Sequence, residues 1–182
     1  MAKNSKNKGS RFERVVAKFW QDWTGYTFSR TPGSGGWAKA KDSFGDLVCT
    51  DSRHSRRFPF SIECKSYQDI RFEHLLLGNK SCKILSFWEQ ATYDAKRANK
   101  IPILIMKYNN MPKEEAFFLI ESNISNMIFE TQEQLLKKPN MVLNINKDIH
   151  LSVYMLSDIK NLSYQGIYKL AKKVLKNHNT SL

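Results

Sequence analysis

Asp46 follows Gly45; sixteen residues later comes Glu63-Cys64-Lys65. Side chains alternate across a strand, so Glu63 and Lys65 would share one face about 7 Å apart, with Cys64 on the other. If the strand ending at Lys65 pairs in a hairpin with one starting at Asp46, two carboxylates and an amine converge at one end of a sheet. Two carboxylates suit a hard divalent cation such as Mg²⁺, with Mn²⁺ as a substitute. Such an ion acidifies a bound water and neutralises charge growing on a phosphoryl group. A neighbouring lysine can orient the water or offset that same charge. The chemistry on offer is metal-assisted phosphodiester hydrolysis.

An acidic residue two before a lysine is, taken alone, most often a solvated ion pair. Two features favour chemistry here. Glu63 and Lys65 end a segment opening Phe58-Pro59-Phe60-Ser61-Ile62, so they stand at the margin of buried structure. Asp46, a glycine-rich loop and an amphipathic helix all precede them at compatible distances.

The elements that must position these residues are legible from periodicity. Phe12, Val15, Val16, Phe19, Trp20 and Trp23 form a helical stripe that Gly25 stops, and Ser10 with Glu13 suggests a capping box. Residues 1–9 carry three lysines and nothing to bury, and read as a flexible basic arm. Tyr26 to Arg30 reads as a short strand, and Thr31 to Trp37 as an irregular glycine-rich loop. Asp46 to Thr50 and Phe58 to Lys65 read as a hairpin across the basic turn Asp51 to Arg57. A short helix is expected around Phe72 to Leu77. Ile84, Phe87, Trp88, Ala91, Ala95 and Ala98 give a helix over 84–99. Strands follow at Ile101 to Tyr108 and Ala116 to Ile120. Thr131 and Gln134 suggest a short capped helix ending at Pro139. A hairpin of Met141 to Ile145 with Ile149 to Met155 follows, and Ser163 opens a last amphipathic helix. The pattern predicts one α/β domain over 10–182, a central mixed sheet flanked by helices, with 109–182 extending a catalytic core at 10–108.

With 182 residues the chain suits a single domain and needs neither disulfide nor structural metal to fold. Three cysteines without CxxC spacing (Cys49, Cys64, Cys82) read as reduced thiols of an intracellular protein. No apolar run approaches the ~20 residues of a membrane span, and the N-terminus lacks a signal peptide's apolar region. No fingerprint of an organic cofactor stands out. The formal charge is +12, which favours polyanionic partners, nucleic acids foremost.

The order of motifs resembles the archaeal-type Holliday-junction resolvases of the PD-(D/E)xK nuclease superfamily. The resemblance runs over residues 9–108. It is carried by Gly9-Ser10-Arg11-Phe12-Glu13, then Arg30-Thr31-Pro32-Gly33-Ser34-Gly35, then Asp46, Glu63 and Lys65. Gln90 on the following helix and the strand ending at Lys107 complete it. Gly45 stands where the family usually has proline. The resemblance implies a restriction-endonuclease-like core that cuts four-way DNA junctions by paired symmetric nicks. It implies Glu13 as a further active-site carboxylate and metal ligand beside Asp46 and Glu63, Ser34 near the scissile phosphate, and Gln90 in the site. It also implies a homodimer, which the junction's own twofold symmetry independently asks for. The candidate contact surface is Phe72 with Leu75, Leu76 and Leu77.

The basic residues Lys8, Arg11, Arg14, Arg30, Lys39, Lys41, Arg53, Arg56 and Arg57 are expected to form a phosphate track around the site. Trp37 is a candidate stacking residue at a branch point. Two alternatives stay open. One is a site-specific restriction-type or repair nuclease of the same superfamily. The other is a non-catalytic basic nucleic-acid-binding module, which leaves the relation of Asp46, Glu63 and Lys65 unexplained. The expected setting is inside a cell, with a virus-encoded protein acting in its host included.

Overall fold

The computed structural model describes residues 2–31, 44–68, 83–130 and 138–180. The elements are α1 (Ala2–Thr24), β1 (Phe28–Arg30), β2 (Leu47–Cys49), β3 (Phe60–Tyr67), α2 (Lys83–Ala98) and β4 (Ile101–Tyr108). They continue as β5 (Phe117–Glu121), α3 (Ser122–Ser125), β6 (Met141–Asn144), β7 (His150–Met155), α4 (Leu156–Lys160) and α5 (Tyr164–Thr180). Seven strands form one mixed sheet in the order β1-β2-β3-β4-β5-β7-β6. Among the described residues only β3 and β4 pair in parallel, joined across α2 as a parallel connection requires.

Both faces of the sheet are covered, which is why β4 reads as a nearly unbroken apolar run. Phe60, Ile62 and Cys64 of β3, with Ile101, Ile103 and Ile105 of β4, face α1 and α5. Leu104 and Met106 point the other way, onto Ile84, Trp88 and Ala91 of α2. Trp20 of α1 is fully buried at the centre of the first layer, its ring 5.4 Å from Phe58 and 5.7 Å from Phe60. Residues after 109 belong to this same sheet. β5 lies against β4, and Trp23 Nε1 on α1 donates to Leu162 O at 2.8 Å.

Two differences from the sequence expectations bear on the site. The first helix opens at Ala2, not Ser10, because residues 2–9 contain no proline and continue the helical backbone. Ser10 is therefore inside a helix and caps nothing; its hydroxyl accepts a hydrogen bond from Arg30 instead. The short helical segments Ser122–Ser125, running into a π-helical turn over Asn126–Glu130, and Leu156–Lys160 were not expected. Segments of four or five residues are too short to display a helical period. The expected helices around Phe72 to Leu77 and after Thr131 lie outside the described residues, as do Leu75, Leu76 and Leu77.

Candidate active site

β2 runs out at Leu47, its paired residue being Ile62, and the backbone of Gly45-Asp46 finishes the pairing. Asp46 N–H donates to Ile62 O at 2.8 Å, and Asp46 Oδ2 accepts the Cys64 N–H at 2.8 Å. The carboxylate thus takes the place of a missing strand carbonyl, which locks its position on β3. Gly45 makes this approach possible. Its φ is +79°, and a Cβ there would sit 2.6 Å from Ile62 O. Proline, with φ near −65°, does not fit that backbone. Thr31 ties the turn from the other side, its N–H donating to Asp46 O at 2.9 Å and its Oγ1 to Gly45 O at 2.8 Å. Thr31 was missed as a supporting residue, since nothing local in the sequence links it to position 45.

On β3 the alternation holds. Cys64 belongs to the α1 layer, whereas Glu63 and Lys65 share the α2 face. Glu63 is 1 % exposed. Lys65 Nζ lies 2.5 Å from Glu63 Oε1 but off the hydrogen-bonding direction, so neither Glu63 oxygen receives a directed hydrogen bond. The amine donates instead to Gln90 Oε1 on α2, at 2.9 Å, and sits 5.5 Å over the Phe87 ring. Gln90 is thus brought beside Lys65.

The electrostatics follow from this burial. Desolvation, then the nearby Asp46 charge, push Glu63 up to about 7; Lys65 opposes but does not cancel them. Asp46 is also raised, chiefly by desolvation, against the Cys64 N–H and Lys65, which hold it down. Asp94 of α2 adds a smaller repulsion on Glu63. A buried carboxylate without a hydrogen bond, beside a second carboxylate, carries more negative charge than one lysine offsets. That donor set fits a hard divalent cation. Asp46 and Glu63 would hold it.

Glu13 is placed differently from that expectation. Its Oε2 meets Arg30 Nε at 2.5 Å, and Arg30 Nη2 donates to Ser10 Oγ at 2.8 Å. No group of three His, Cys, Asp or Glu side chains able to hold a metal exists among the described residues. Glu13 is paired with Arg30 in this structure, while Asp46 and Glu63 are the carboxylates that act on one another most directly. Glu13 stays close enough for its charge to act on Asp46.

The basic residues divide. Lys8 donates to Asn109 just beyond β4, and Arg11 and Arg14 are exposed on α1. Arg30 is engaged by Glu13 and Ser10. Arg53, Arg56 and Arg57 lie in the β2–β3 turn, which closes the hairpin at the end away from Asp46 and Glu63. They do not flank the carboxylates, which corrects that expectation: a hairpin's own turn joins the ends opposite to Asp46. Lys107 pairs in register with Ser66, on the face opposite Glu63, and donates to Pro112 O at 2.9 Å and Lys113 O at 3.1 Å. It buttresses the β4–β5 turn rather than the site. Ser34, Trp37, Lys39 and Lys41 lie outside the described residues.

Comparison with known proteins agrees with this geometry in broad class. A family model described as "phage putative PDDEXK endonuclease" matches residues 4–169. Protein D14 of Escherichia phage T5 is 28 % identical over 154 residues, covering 84 % of this chain and 89 % of that protein. No solved structure matches the chain.

Proposed function

This chain belongs to the phage PDDEXK endonuclease family, and from that premise we propose that it is a divalent-metal-dependent DNA endonuclease acting on four-way junctions. What carries the reading is the convergence of Asp46, just before β2, Glu63 and Lys65 of β3 and Gln90 of α2, a group with buried Glu63 at its base and exposed Gln90 at its rim. The motif order over 9–108 supports the junction as substrate, and the +12 charge supports a DNA partner.

Asp46 and Glu63 would hold Mg²⁺, with Mn²⁺ able to replace it. Bound there, the cation supplies an acidified water and neutralises charge on the phosphoryl oxygens. Asp46 enters the reaction already oriented, since the Cys64 N–H fixes Oδ2 without any side-chain search. Lys65, steadied by Gln90 Oε1, aims its remaining N–H groups at the attacking water or at the developing phosphoryl charge. Arg30 screens Glu13, and Lys65 offsets part of the charge that Asp46 and Glu63 carry together. A second, symmetric nick would come from a homodimer, whose mass by light scattering would be about 42 kDa, twice the 21.2 kDa chain.

The experiment is cleavage of matched four-way, linear duplex and single-stranded DNAs, with Mg²⁺ and with EDTA. Paired nicks in the four-way DNA, lost with EDTA, are expected. Cutting of the linear duplex at one sequence would replace the junction reading by a restriction-type one. Tight binding without cutting under any divalent metal would overturn the nuclease reading.

A further inference from the structure

We propose that Tyr93 and Arg97 of α2, with Phe44, form a stacking platform for an unpaired base beside the scissile phosphate, so that the enzyme selects DNA with an unstacked nucleotide at the cutting site. The proposal deepens the nuclease reading and rests on it.

Positions 90, 93, 94 and 97 recur at three- and four-residue spacing and so share one face of α2. One end of that face, Gln90, holds Lys65. Its middle, Asp94, is felt electrostatically by Glu63. At its other end the Arg97 guanidinium lies 4.8 Å over the ring of Phe44, the residue that leads into Gly45-Asp46. The stripe therefore runs about 10 Å, the rise of seven helical residues, from Lys65 past Glu63 to the residue that leads into Gly45-Asp46.

On this stripe Tyr93 stands 64 % exposed, an unusual place for a large ring, and its face lies 5.5 Å from the same Arg97 guanidinium. Arg97 is thus flanked by two aromatic rings and forms no ion pair among the described residues. Among the described residues its N–H edge meets no carboxylate, in a protein of charge +12. A flat cation with its faces on rings and its edge unpaired suits a phosphate at the edge and a base on the neighbouring ring. Bases inside an intact duplex are already stacked on their neighbours and offer no face to Tyr93. An unpaired base does, whatever its identity, because each base has a π-face. The platform consequently reads DNA structure rather than sequence.

Phe44 and Arg97 also brace the Gly45-Asp46 turn, so the decisive variants are at Tyr93, which does not carry the turn. The probe is a short single-stranded DNA with a central fluorescent adenine analogue, compared with the same strand annealed to its complement. Binding is measured in EDTA, so the result is independent of cleavage. The wild type should quench the unpaired probe. Tyr93→Ala should raise Kd for the single strand about 5- to 100-fold, the range of base–aromatic stacking. Its Kd for the duplex should change less than twofold, Tyr93→Phe should restore binding, and thermal melting should stay unchanged. Equal Kd changes on both DNAs, no change on the single strand, or failure of Tyr93→Phe to rescue would overturn the platform. Failure of the wild type to cut any DNA with Mg²⁺ would instead strike the nuclease reading.

Discussion

Glu63→Gln should make the metal-free protein more stable at alkaline pH while removing its activity. The Glu63 carboxylate is 1 % exposed and receives no directed hydrogen bond. Burial and Asp46 raise it from the ordinary 4.5 to about 7. Between these values the folded chain holds a proton that the unfolded chain has released, so this group's contribution to stability falls as pH rises, and levels off above about 7. At 1.36 kcal/mol per pH unit the gap amounts to about 3 kcal/mol. In a domain of this size 1 kcal/mol moves Tm by about 2–4 °C. Glutamine keeps the shape and removes the charge, but leaves a buried amide to be satisfied. We therefore expect about half the gap to be recovered, a Tm increase of about 3–6 °C at pH 8. The assay is calorimetric melting of wild type and Glu63→Gln in EDTA at pH 5.5 and pH 8. The difference between the two proteins cancels the effect of general self-repulsion in a basic chain, which runs the opposite way with pH. The stabilisation should appear at pH 8 and shrink at pH 5.5. A mutant equally or less stable at pH 8, with the wild-type pH slope, would refute the claim that Glu63 is a buried charge that Lys65 only partly offsets.

Two further outcomes follow from the same geometry. Gly45→Ala forces a Cβ to 2.6 Å from Ile62 O at a positive φ. It should lower stability by about 1–3 kcal/mol and, by shifting Asp46, lower turnover about 10²-fold; melting and single-turnover cleavage check both. Lys65→Ala should cost about 10²–10³ in turnover with cation binding retained, because the amine acts on water or phosphoryl charge; loss of cation binding by calorimetry on the folded mutant would reverse that assignment.

The parts of the site set by local rules are readable in the chain. Strand alternation alone separates Glu63 and Lys65 from Cys64, and the Asp46 hairpin brings the second carboxylate to them. The apolar spacing of Ile84, Trp88 and Ala91 places α2 over the same face, and Gln90 with it. What is not readable depends on how distant segments dock. Thr31 supports Gly45 through hydrogen bonds across fourteen residues, and Arg97 meets Phe44 only once α2 has packed across β3 and β4. The Glu13–Arg30 pair is of the same kind: each residue suggests a role in the site, and only their contact shows that they neutralise one another. The arginines of the hairpin turn teach a different lesson. Their position away from Asp46 follows from the hairpin itself, so strand direction should be traced before charges are grouped around a site.

The central claim is that Asp46 and Glu63 together hold the cation that cuts DNA. Its most direct test is single-turnover cleavage of a labelled four-way junction by wild type, Asp46→Asn and Glu63→Gln, with junction binding measured in parallel in EDTA. Ionised oxygens are needed for the cation, whereas affinity for DNA comes from many Lys and Arg contacts with phosphate. We predict that the wild type cuts only with divalent metal and that each mutant loses cleavage while binding the junction as tightly or more tightly. Cleavage by either mutant near the wild-type rate, or wild-type cleavage that survives EDTA, would contradict it.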